Sequence, residues 1–251
     1  IQINKRGLLY CLPSVAAYIG SDIVAGVLTT RLYTRKKVCL FVDIGTNGEV
    51  VLGDRDWLVC ASSSAGPAFE GGHIRWGMRA AAGAIERVRI DADTLNVEWQ
   101  TIEQEKPVGL CGSGIISAVA EMIRSGIILG RGNMNEDLES PRLRQGEDGW
   151  EFVLSWASET AVAQDIVITQ KDVAELQMAK AAVYAGAALL IEQYGGPAVK
   201  EILLAGACGN YVDPQDACAI DLFPGCLHAA VKGVGNAAGH GACLALLNKR
   251  K

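Results

Sequence analysis

The sequence predicts an α/β protein with a mixed sheet, in which antiparallel hairpin strands are flanked by helices. Residues 38–42 are an apolar run that an Asn-Gly turn at 47–48 connects to a second run at 49–52, which is typical of a β-hairpin. Residues 169–194 combine a capping-box start with apolar residues at helical spacing, which indicates a long helix facing the core. Residues 201–205 add a further short apolar strand.

The composition describes a compact globular chain. Of its 251 residues, 50% are hydrophobic and 20% are charged, which provides for a sizeable core. The net charge is −5 and no basic run is longer than residues 35–37, so neither nucleic acid nor a membrane surface is an expected partner. The Ala-rich segment 178–191 contains Lys180 and is shorter than the ~20 residues of a membrane-spanning helix, so a soluble chain is expected.

The N-terminal residues leave the origin of the chain open. The first residue is Ile1 rather than Met, and the segment 8–19 contains Pro13 and no small-residue cleavage site. A mature secreted chain and a truncated longer protein both fit these residues.

The cysteine and histidine residues predict free thiols and no metal centre. The eight cysteines are scattered and several lie in apolar strands: Cys11, Cys39, Cys60, Cys111, Cys208, Cys218, Cys226 and Cys243. This pattern is typical of buried free thiols in a reducing compartment, so a cytoplasmic location is expected. No Cys-x-x-Cys occurs and His73, His228 and His240 are far apart, so we expect neither zinc nor an iron–sulfur cluster on this chain.

The first element along the chain is a helix. Residues 13–28 place small and apolar residues at a helix-like period, with Ser21 or Asp22 as the N-cap of the second part. After the hairpin, residues 57–61 make a third strand, so that residues 38–61 form an antiparallel meander.

The middle and the end of the chain contain four further features. Residues 64–73 mix turn residues with an aromatic residue and predict a folded loop. Two alternating runs at 85–90 and 95–102 predict another hairpin. The polar segment 131–149 predicts a surface loop and is a candidate for local disorder, and residues 234–247 predict a terminal helix of small residues.

Residues 108–126 predict an amphipathic helix that follows a glycine-rich entry. Free N–H groups of Gly112 to Gly114 could bind an anion, but glycines at such a place more often allow a helix to pack closely against backbone. No base lies near Cys111 in sequence, so we do not assign it as a nucleophile.

The turn of the first hairpin carries the polar residues of greatest interest. Asp43 follows a buried strand and can hold a hydrated magnesium ion, while the backbone of residues 45–48 can donate N–H groups to an anion. An ordinary surface hairpin with an acidic flank fits the same residues, so this motif alone does not decide between the two interpretations.

The order of the motifs decides in favour of the anion site. In the order of its motifs the chain resembles the second lobe of an actin-like (ribonuclease H-like) ATPase. This order is an aspartate hairpin, a third strand, an Ala-Gly-rich loop, a long helix, Leu-Ala-Gly-x-x-Gly and a terminal Gly-Asn-Ala-Ala helix. The resemblance implies that residues 43–49 are the second phosphate-binding hairpin and that residues 204–210 are the adenosine motif. It also implies that Gln177 and Lys180, three apart on one helix face, contact the adenosine.

The same resemblance implies a set of site residues. Asp43 and Glu49 are the expected catalytic residues, and Asp43 holds magnesium through water. The residues expected to bind ATP lie in the hairpin turn, the Gly-rich loop, the long helix and the adenosine motif: Gly45, Thr46, Asn47, Gly48, Gly66, Gly71, Gly72, Gln177, Lys180, Gly206, Ala207, Gly209 and Asn210.

One family within this superfamily is similar over nearly the whole chain, namely the reductive activators of corrinoid proteins. The motifs that carry this resemblance are Leu-Pro at 12–13, Asp-Ile-Gly-Thr-Asn-Gly-Glu at 43–49, Ala-Gly-Pro-Ala-Phe-Glu-Gly at 65–71, Gly-Met-Arg-Ala at 77–80, Gly-Ala-Ile-Glu at 83–86, Cys-Gly-Ser-Gly at 111–114, Thr-Gln-Lys-Asp at 169–172, Gln-Met-Ala-Lys at 177–180 and Gly-Asn-Ala-Ala at 235–238. The resemblance implies an ATPase that drives electron transfer to Co(II) of a partner corrinoid protein of a methyltransferase system and restores Co(I). An electron donor such as ferredoxin is implied, and a homodimer is one expected oligomeric state.

Two parts of the family's pattern do not occur in this sequence. Family members carry a 2Fe-2S domain and a first ATPase lobe upstream, so the cluster is expected on a part of the protein outside this chain. We therefore expect residues 1–251 to be the C-terminal part of the ATPase domain and to offer half of the ATP site. We predict four parts: the lead-in helices at 1–37, the phosphate hairpin with its Gly-rich loops at 38–126, the surface loop with strands at 127–168, and the adenosine-motif half at 169–251.

Two other function classes remain open at this point. One is a different enzyme of the same fold, either the activator of a 2-hydroxyacyl-CoA dehydratase or a small-molecule kinase. The first would require bridging cysteines at a dimer interface, which the scattered cysteines do not suggest, and the second would consume ATP only with an acceptor. The other class is a non-catalytic docking module for a corrinoid protein.

Overall fold

The computed structural model describes residues 4–206 and 211–248. The helices of this part are α1 (Ser21–Thr30), α2 (Gly112–Arg124), α3 (Gln170–Gln193), α4 (Pro214–Ala219) and α5 (Ala237–Leu247). The strands are β1 (Cys39–Ile44), β2 (Gly48–Gly53), β3 (Leu58–Ser63), β4 (Ala84–Ile90), β5 (Val97–Thr101), β6 (Gly109–Leu110), β7 (Leu143–Gly146), β8 (Gly149–Ser155), β9 (Ile166–Thr169), β10 (Glu201–Ala205) and β11 (Ala230–Gly235).

A five-stranded mixed sheet forms the centre of the fold, in the order β11-β10-β1-β2-β3. The strands β11, β10 and β1 run parallel, whereas β1, β2 and β3 form the expected antiparallel meander. Side chains of β1 alternate between two hydrophobic clusters, with Leu40 and Val42 on the α3 side and Phe41 on the side of α1 and α5. Helices therefore cover both faces of the sheet, and the predicted mixed α/β architecture is confirmed.

The long helix α3 begins with the capping box that the sequence predicts. The Thr169 hydroxyl accepts from the Asp172 N–H, and the Asp172 carboxylate accepts from the Thr169 N–H. These two bonds satisfy N–H groups that a helix start leaves free. The predicted core-facing stripe is also confirmed, since Val173, Leu176, Val183, Ala187 and Leu190 are buried.

By length and composition α3 is apolar enough to cross a membrane, contrary to the expectation that no segment reaches that length. Its apolar stripe packs on β2 and β3, and the core helix of a soluble protein passes the same test. The packing on the sheet accounts for the buried stripe of this helix, which is 28% of its most apolar window.

Two three-stranded sheets flank the central sheet, in the orders β5-β4-β6 and β7-β8-β9. The predicted hairpin of β4 and β5 is confirmed, and α2 packs against β4. At Gly114 a Cβ atom would lie 2.0 Å from the carbonyl oxygen of Ile85, so no side chain fits between α2 and β4. Close packing, the interpretation favoured for this glycine-rich segment, accounts for Gly114.

The N-terminal helix is shorter than predicted. It begins at Ser21 with Gly20 as its N-cap, so the assignment of Ser21 or Asp22 as N-cap is wrong. The Asp22 carboxylate accepts from the N–H of the next residue, Ile23, instead of capping the helix. Residues 13–20 form no helix: Ile19 is buried in the cluster of Ile23, but Tyr18 is 81% exposed.

The segment 131–149 is more ordered than the expected loop. Its last third contains β7, which pairs with β8, and Met134 and Leu143 are buried. This strand could not be predicted from an apolar run because charged residues occupy its other face. One of them, Arg144, forms ion pairs with Glu151 and Asp165.

The C-terminal region contains two elements that the sequence analysis missed, the short helix α4 and the strand β11. The terminal helix was predicted from residue 234, but β11 extends to Gly235 and the helix begins at Ala237. The Asn236 side chain caps it by accepting from the Gly239 N–H. The small residues of β11, paired with β10, lack the β-branched pattern from which strands are usually predicted.

The expectation that all cysteines are free thiols is wrong for one pair. Cys218 and Cys226 form a disulfide, with their Cα atoms 5.4 Å apart. Cys11, Cys39, Cys60, Cys111 and Cys243 are free. Sequence spacing alone could not reveal the pair, because the turn at 220–225 brings its members together. The three histidines are exposed, as expected.

A substitution at Gly114 tests the close packing of α2 on β4. Gly114→Ala forces a methyl group against the Ile85 carbonyl, so we expect the free energy of unfolding to fall by at least about 2 kcal/mol. Gly130→Ala is the matched control, because no atom lies within 4 Å of the place that its new methyl group would occupy, and it should change stability by less than about 0.5 kcal/mol. Denaturant unfolding of both variants measures the difference, and equal stabilities would contradict the packing argument.

Candidate functional site

The turn between β1 and β2 is closed by its own backbone. The Gly45 N–H donates to the carbonyl of Asn47 at 2.9 Å, which leaves the exposed residues Thr46 and Asn47 at the tip. The Thr46 hydroxyl donates to Glu70 at 3.0 Å. The tip is thus braced against the loop that follows β3, and Glu70 is a site residue that the sequence analysis did not assign.

Two carboxylates face each other across the base of this hairpin. Asp43 on β1 and Glu49 on β2 are direct cross-strand partners. Burial raises the pKa of Asp43 from 3.8 to about 6, and the negative charges of Glu49 and Asp22 contribute to this rise. Burial also raises the pKa of Glu49, against a hydrogen bond of 3.2 Å from Ser62.

Asp22 is the third carboxylate near this pair and reaches it from α1. The sequence analysis considered it only as a helix cap. No spacing in the sequence relates Asp22 to Asp43, because the two lie on different elements that meet only in the folded chain. Three acidic side chains this close together form a site where a cation is favoured.

The end of β10 lies directly against the hairpin. Gly206 has φ +99°, and a Cβ atom there would lie 2.3 Å from the Ile44 carbonyl oxygen and 2.8 Å from the Asp43 carboxylate. Only glycine fits this position. The start of the adenosine motif is therefore held next to the phosphate hairpin, whereas Ala207, Gly209 and Asn210 lie outside the described residues.

The three glycines predicted to bind ATP in the loop at 64–73 have different surroundings. At Gly66, with φ +77°, no atom lies within 4 Å of a Cβ position, so this backbone faces open space. At Gly71 a Cβ would lie 2.5 Å from the Met78 amide nitrogen, and at Gly72 it would lie 2.6 Å from Pro67. Close backbone packing explains Gly71 and Gly72, and a role for them in ATP binding stays a prediction.

Gln177 and Lys180 line a second feature, a cleft of about 320 Å³ between α2, α3 and the end of α4. The two side chains share one face of α3, as their spacing predicts. Gln177 lies over Gly132, where a Cβ atom would overlap its side-chain amide. The opposite wall includes Ile220 and Asp221, which follow α4. No residue of the hairpin at 43–49 lines this cleft.

The acidic residues at the hairpin fit a magnesium ion held through water rather than directly. Within residues 4–206 and 211–248, no three His, Cys, Asp or Glu side chains are arranged to ligate a metal ion. Magnesium retains several waters and binds through one or two carboxylates together with phosphates, which agrees with a pair such as Asp43 and Glu49. The uncompensated charge of this pair is the observation that favours a cation here.

Comparison with known proteins identifies the family. Residues 37–251 match the family model described as the C-terminal domain of RACo, the ASKHA domain, and residues 1–35 match the model described as the RACo middle region. The chain belongs to the RACo family. Its fold is therefore that of an actin-like (ASKHA) ATPase domain, as predicted, and a domain of this type implies nucleotide binding.

Two curated relatives and one solved structure are similar over most of the chain. The corrinoid activation enzyme RamQ of Eubacterium limosum is 40% identical over 260 residues, which cover 100% of this chain and 43% of that protein. The [Co(II) methylated amine-specific corrinoid protein] reductase of Methanosarcina barkeri is 30% identical over 85% of this chain and 40% of the reductase. The structure of a reductive activator for corrinoid, iron-sulfur protein matches with a TM-score of 0.88 and 44% identity, covering 100% of this chain and 40% of that protein. The chain spans less than half the length of each of these relatives.

The raised pKa of Asp43 predicts a pH dependence of stability. Since folding raises this pKa from 3.8 to about 6, the folded state favours the protonated acid, and the free energy of unfolding should fall as pH rises through this range. Asp43→Asn removes the titrating carboxylate and with it this fall in stability. Without ligand, the variant should therefore be more stable than the wild type at pH 8, by roughly 2 kcal/mol.

Denaturant unfolding between about pH 4 and pH 8 measures this difference, a window set by the Asp43 pKa values in the unfolded and the folded chain. Asp56→Asn is the control, because the Asp56 side chain is 73% exposed and should leave the pH profile unchanged. A stability difference for Asp43→Asn that is the same at both ends of this range would disprove the assignment.

Proposed function

We propose that the RACo-family protein containing this chain uses ATP to drive an uphill transfer of one electron to the Co(II) of a corrinoid protein, which yields Co(I). The observation that carries the proposal is the half-buried pair Asp43 and Glu49, at a hairpin against which Gly206 packs. The relatives' names support it, since they describe activators and reductases of corrinoid proteins.

In this proposal the chain binds the phosphates of ATP at the hairpin. Asp43 and Glu49 orient water and a magnesium ion, which would neutralise charge on the phosphates as they are hydrolysed. Backbone N–H groups at the exposed tip, Thr46 and Asn47, donate to phosphate oxygens, whereas the Gly45 N–H is bonded to the Asn47 carbonyl. The open backbone at Gly66 lies on the loop that Glu70 braces against Thr46, so it is available to the same ligand.

The adenosine would occupy the cleft of Gln177 and Lys180. The amide of Gln177 can donate to and accept from a base, and Lys180 offers a cation. Because hairpin and cleft share no residue, ATP would bridge two separately built parts of the chain, and binding would favour one arrangement of the ATPase lobes over another.

The remaining parts of the proposal concern the whole protein. The electron would come from a 2Fe-2S cluster on an upstream domain, which a donor such as ferredoxin would reduce. The protein would act in the cytoplasm, with a homodimer as one oligomeric state. The five free cysteines in the described residues favour reducing surroundings, whereas the disulfide Cys218–Cys226 does not.

A substitution of the hairpin aspartate tests the proposal. In the activator that contains this chain, Asp43→Ala should abolish ATP-dependent reduction of Co(II) in the corrinoid protein, because the carboxylate that positions magnesium is lost. The Co(II) and Co(I) absorbance bands measure the reaction. Glu147→Gln, at an 88% exposed side chain, is the control and should retain full activity. Unchanged cobalt reduction by Asp43→Ala would refute the phosphate role of the hairpin.

A substitution of Lys180 tests separately whether the cleft binds ATP. Lys180→Ala should weaken ATP binding about tenfold, as expected for loss of one charged contact, without unfolding the chain. Isothermal titration with ATP measures the affinity. Lys171→Ala, at an exposed residue on the first turn of the same helix, is the control and should bind ATP as the wild type does.

A further inference from the structure

The helix α4, which the disulfide Cys218–Cys226 joins to the loop that follows it, forms one wall of the cleft. It is only six residues long, and it follows the adenosine motif closely in sequence. Its last residue, Ala219, and the two residues after it face Gln177 and Lys180 across the cleft. The placement of α4 therefore sets the width of the cleft on this side.

Apolar contacts hold α4 in the core but do not fix its orientation. Ala217 on α4 and Leu222 just after it are fully buried. Such contacts are non-directional, because the hydrophobic effect depends on buried area and not on angle. The disulfide joins α4 to its own following loop, so neither these contacts nor the disulfide sets the orientation of α4 relative to α2.

An ion pair between α4 and α2 fixes the orientation of α4. The Asp216 side chain on α4 is 2% exposed and accepts from Arg124 of α2 at 2.6 Å. Arg124 also donates to the backbone carbonyl of Gln215 at 2.9 Å. One guanidinium thus holds both a side chain and the backbone of α4, and planar arginine contacts of this kind restrict geometry strongly.

Further contacts anchor Arg124 itself. It donates to Glu121 at 2.6 Å, and Glu121 accepts from Arg89 and from the backbone N–H of Ile90 on β4. Burial opposes ionisation of Glu121, but hydrogen bonds from Ile90 and Arg124, together with the charge of Arg89, hold its pKa below the ordinary value. The wall of the cleft is therefore tied through α2 to the β4 sheet.

The chemistry of Asp216 is unfavourable for stability alone. Its second carboxylate oxygen is buried with no hydrogen-bond partner among residues 4–206 and 211–248. Replacing a buried ion pair by apolar residues of similar volume is often neutral or stabilising, so the presence of this pair is weak evidence for a purely stabilising role. An apolar pair at this place could not fix the orientation of α4, because apolar contacts have no preferred direction.

We propose that Asp216 and Arg124 are positioning residues that fix α4 as a wall of the adenosine cleft and so set the affinity for the base of the nucleotide. The inference rests on the proposed function, because it needs the cleft to be the adenosine site. Neither Asp216 nor Arg124 contacts the nucleotide in this proposal. Its particular consequence is that these two residues act on recognition of the base and not on the phosphates.

The test compares nucleotides with a ligand that has no base. In the whole activator, Asp216→Asn keeps the size of the side chain and removes its charge. We expect its affinity for ATP to fall about tenfold and its preference for ATP over GTP to fall as well, while affinity for tripolyphosphate changes less than about twofold. The KM for ATP should rise accordingly, with kcat at saturating ATP unchanged.

A control variant separates positioning at the cleft from the loss of an ion pair elsewhere in the chain, at a side chain that is 23% exposed. Asp165→Asn removes the bond of 2.9 Å to Arg144 near the β7-β8-β9 sheet and should leave all three affinities unchanged. If Asp216→Asn does not fold, Arg124→Lys replaces it, since lysine keeps the charge but cannot hold Asp216, Glu121 and the Gln215 carbonyl together.

The outcomes distinguish this inference from the proposed function. A folded Asp216→Asn or Arg124→Lys variant that binds ATP and GTP as the wild type does, while Lys180→Ala weakens ATP binding, overturns the positioning role and leaves the nucleotide assignment intact. Equal losses for ATP and tripolyphosphate also overturn it, because they indicate a general effect on folding. If Lys180→Ala has no effect either, the cleft is not the adenosine site and both proposals fail.

Discussion

The parallel pairing of β1 with β10 is the constraint on which the candidate site depends. It places Asp43 beside Ala205, so that the next residue of β10, Gly206, lies on the hairpin backbone. The two chain segments are about 160 residues apart, a separation that only the sheet register bridges. A slip of one residue would turn the Asp43 side chain to the opposite face of the sheet and remove the site.

This arrangement also explains why the hairpin carries an electrostatic strain. The sheet partly buries Asp43 next to Glu49, and the charge of the exposed Asp22 on α1 acts on both. The fold tolerates the cost because β1 is fixed by apolar neighbours on both faces. A cation with phosphate oxygens would offset the repulsion, so the carboxylates that lower stability by themselves are those that would favour a bound cation.

The sequence predicted the elements whose signals are local and missed those whose signals are not. Asn47-Gly48 and the capping box at Thr169 are short-range patterns, and both define their elements correctly. The strand β11 depends on pairing with β10, and the helix α4 has a local start signal at Asp213-Pro214 but is too short, at six residues, to show a helical period. Asp22 and Glu70 were missed because each reaches the hairpin from another element.

The two ends of the proposed ATP site differ in their mechanical support. The phosphate end stands on strands whose backbone bonds leave little freedom, whereas the adenosine cleft is enclosed by helices joined through side chains. Side-chain contacts hold α4, namely the bonds of Arg124 and the disulfide Cys218–Cys226, whereas the backbone ladder of β1 and β2 holds the hairpin. Loss of one side chain can therefore displace the wall of the cleft, while no single side chain of β1 or β2 carries the hairpin in this way.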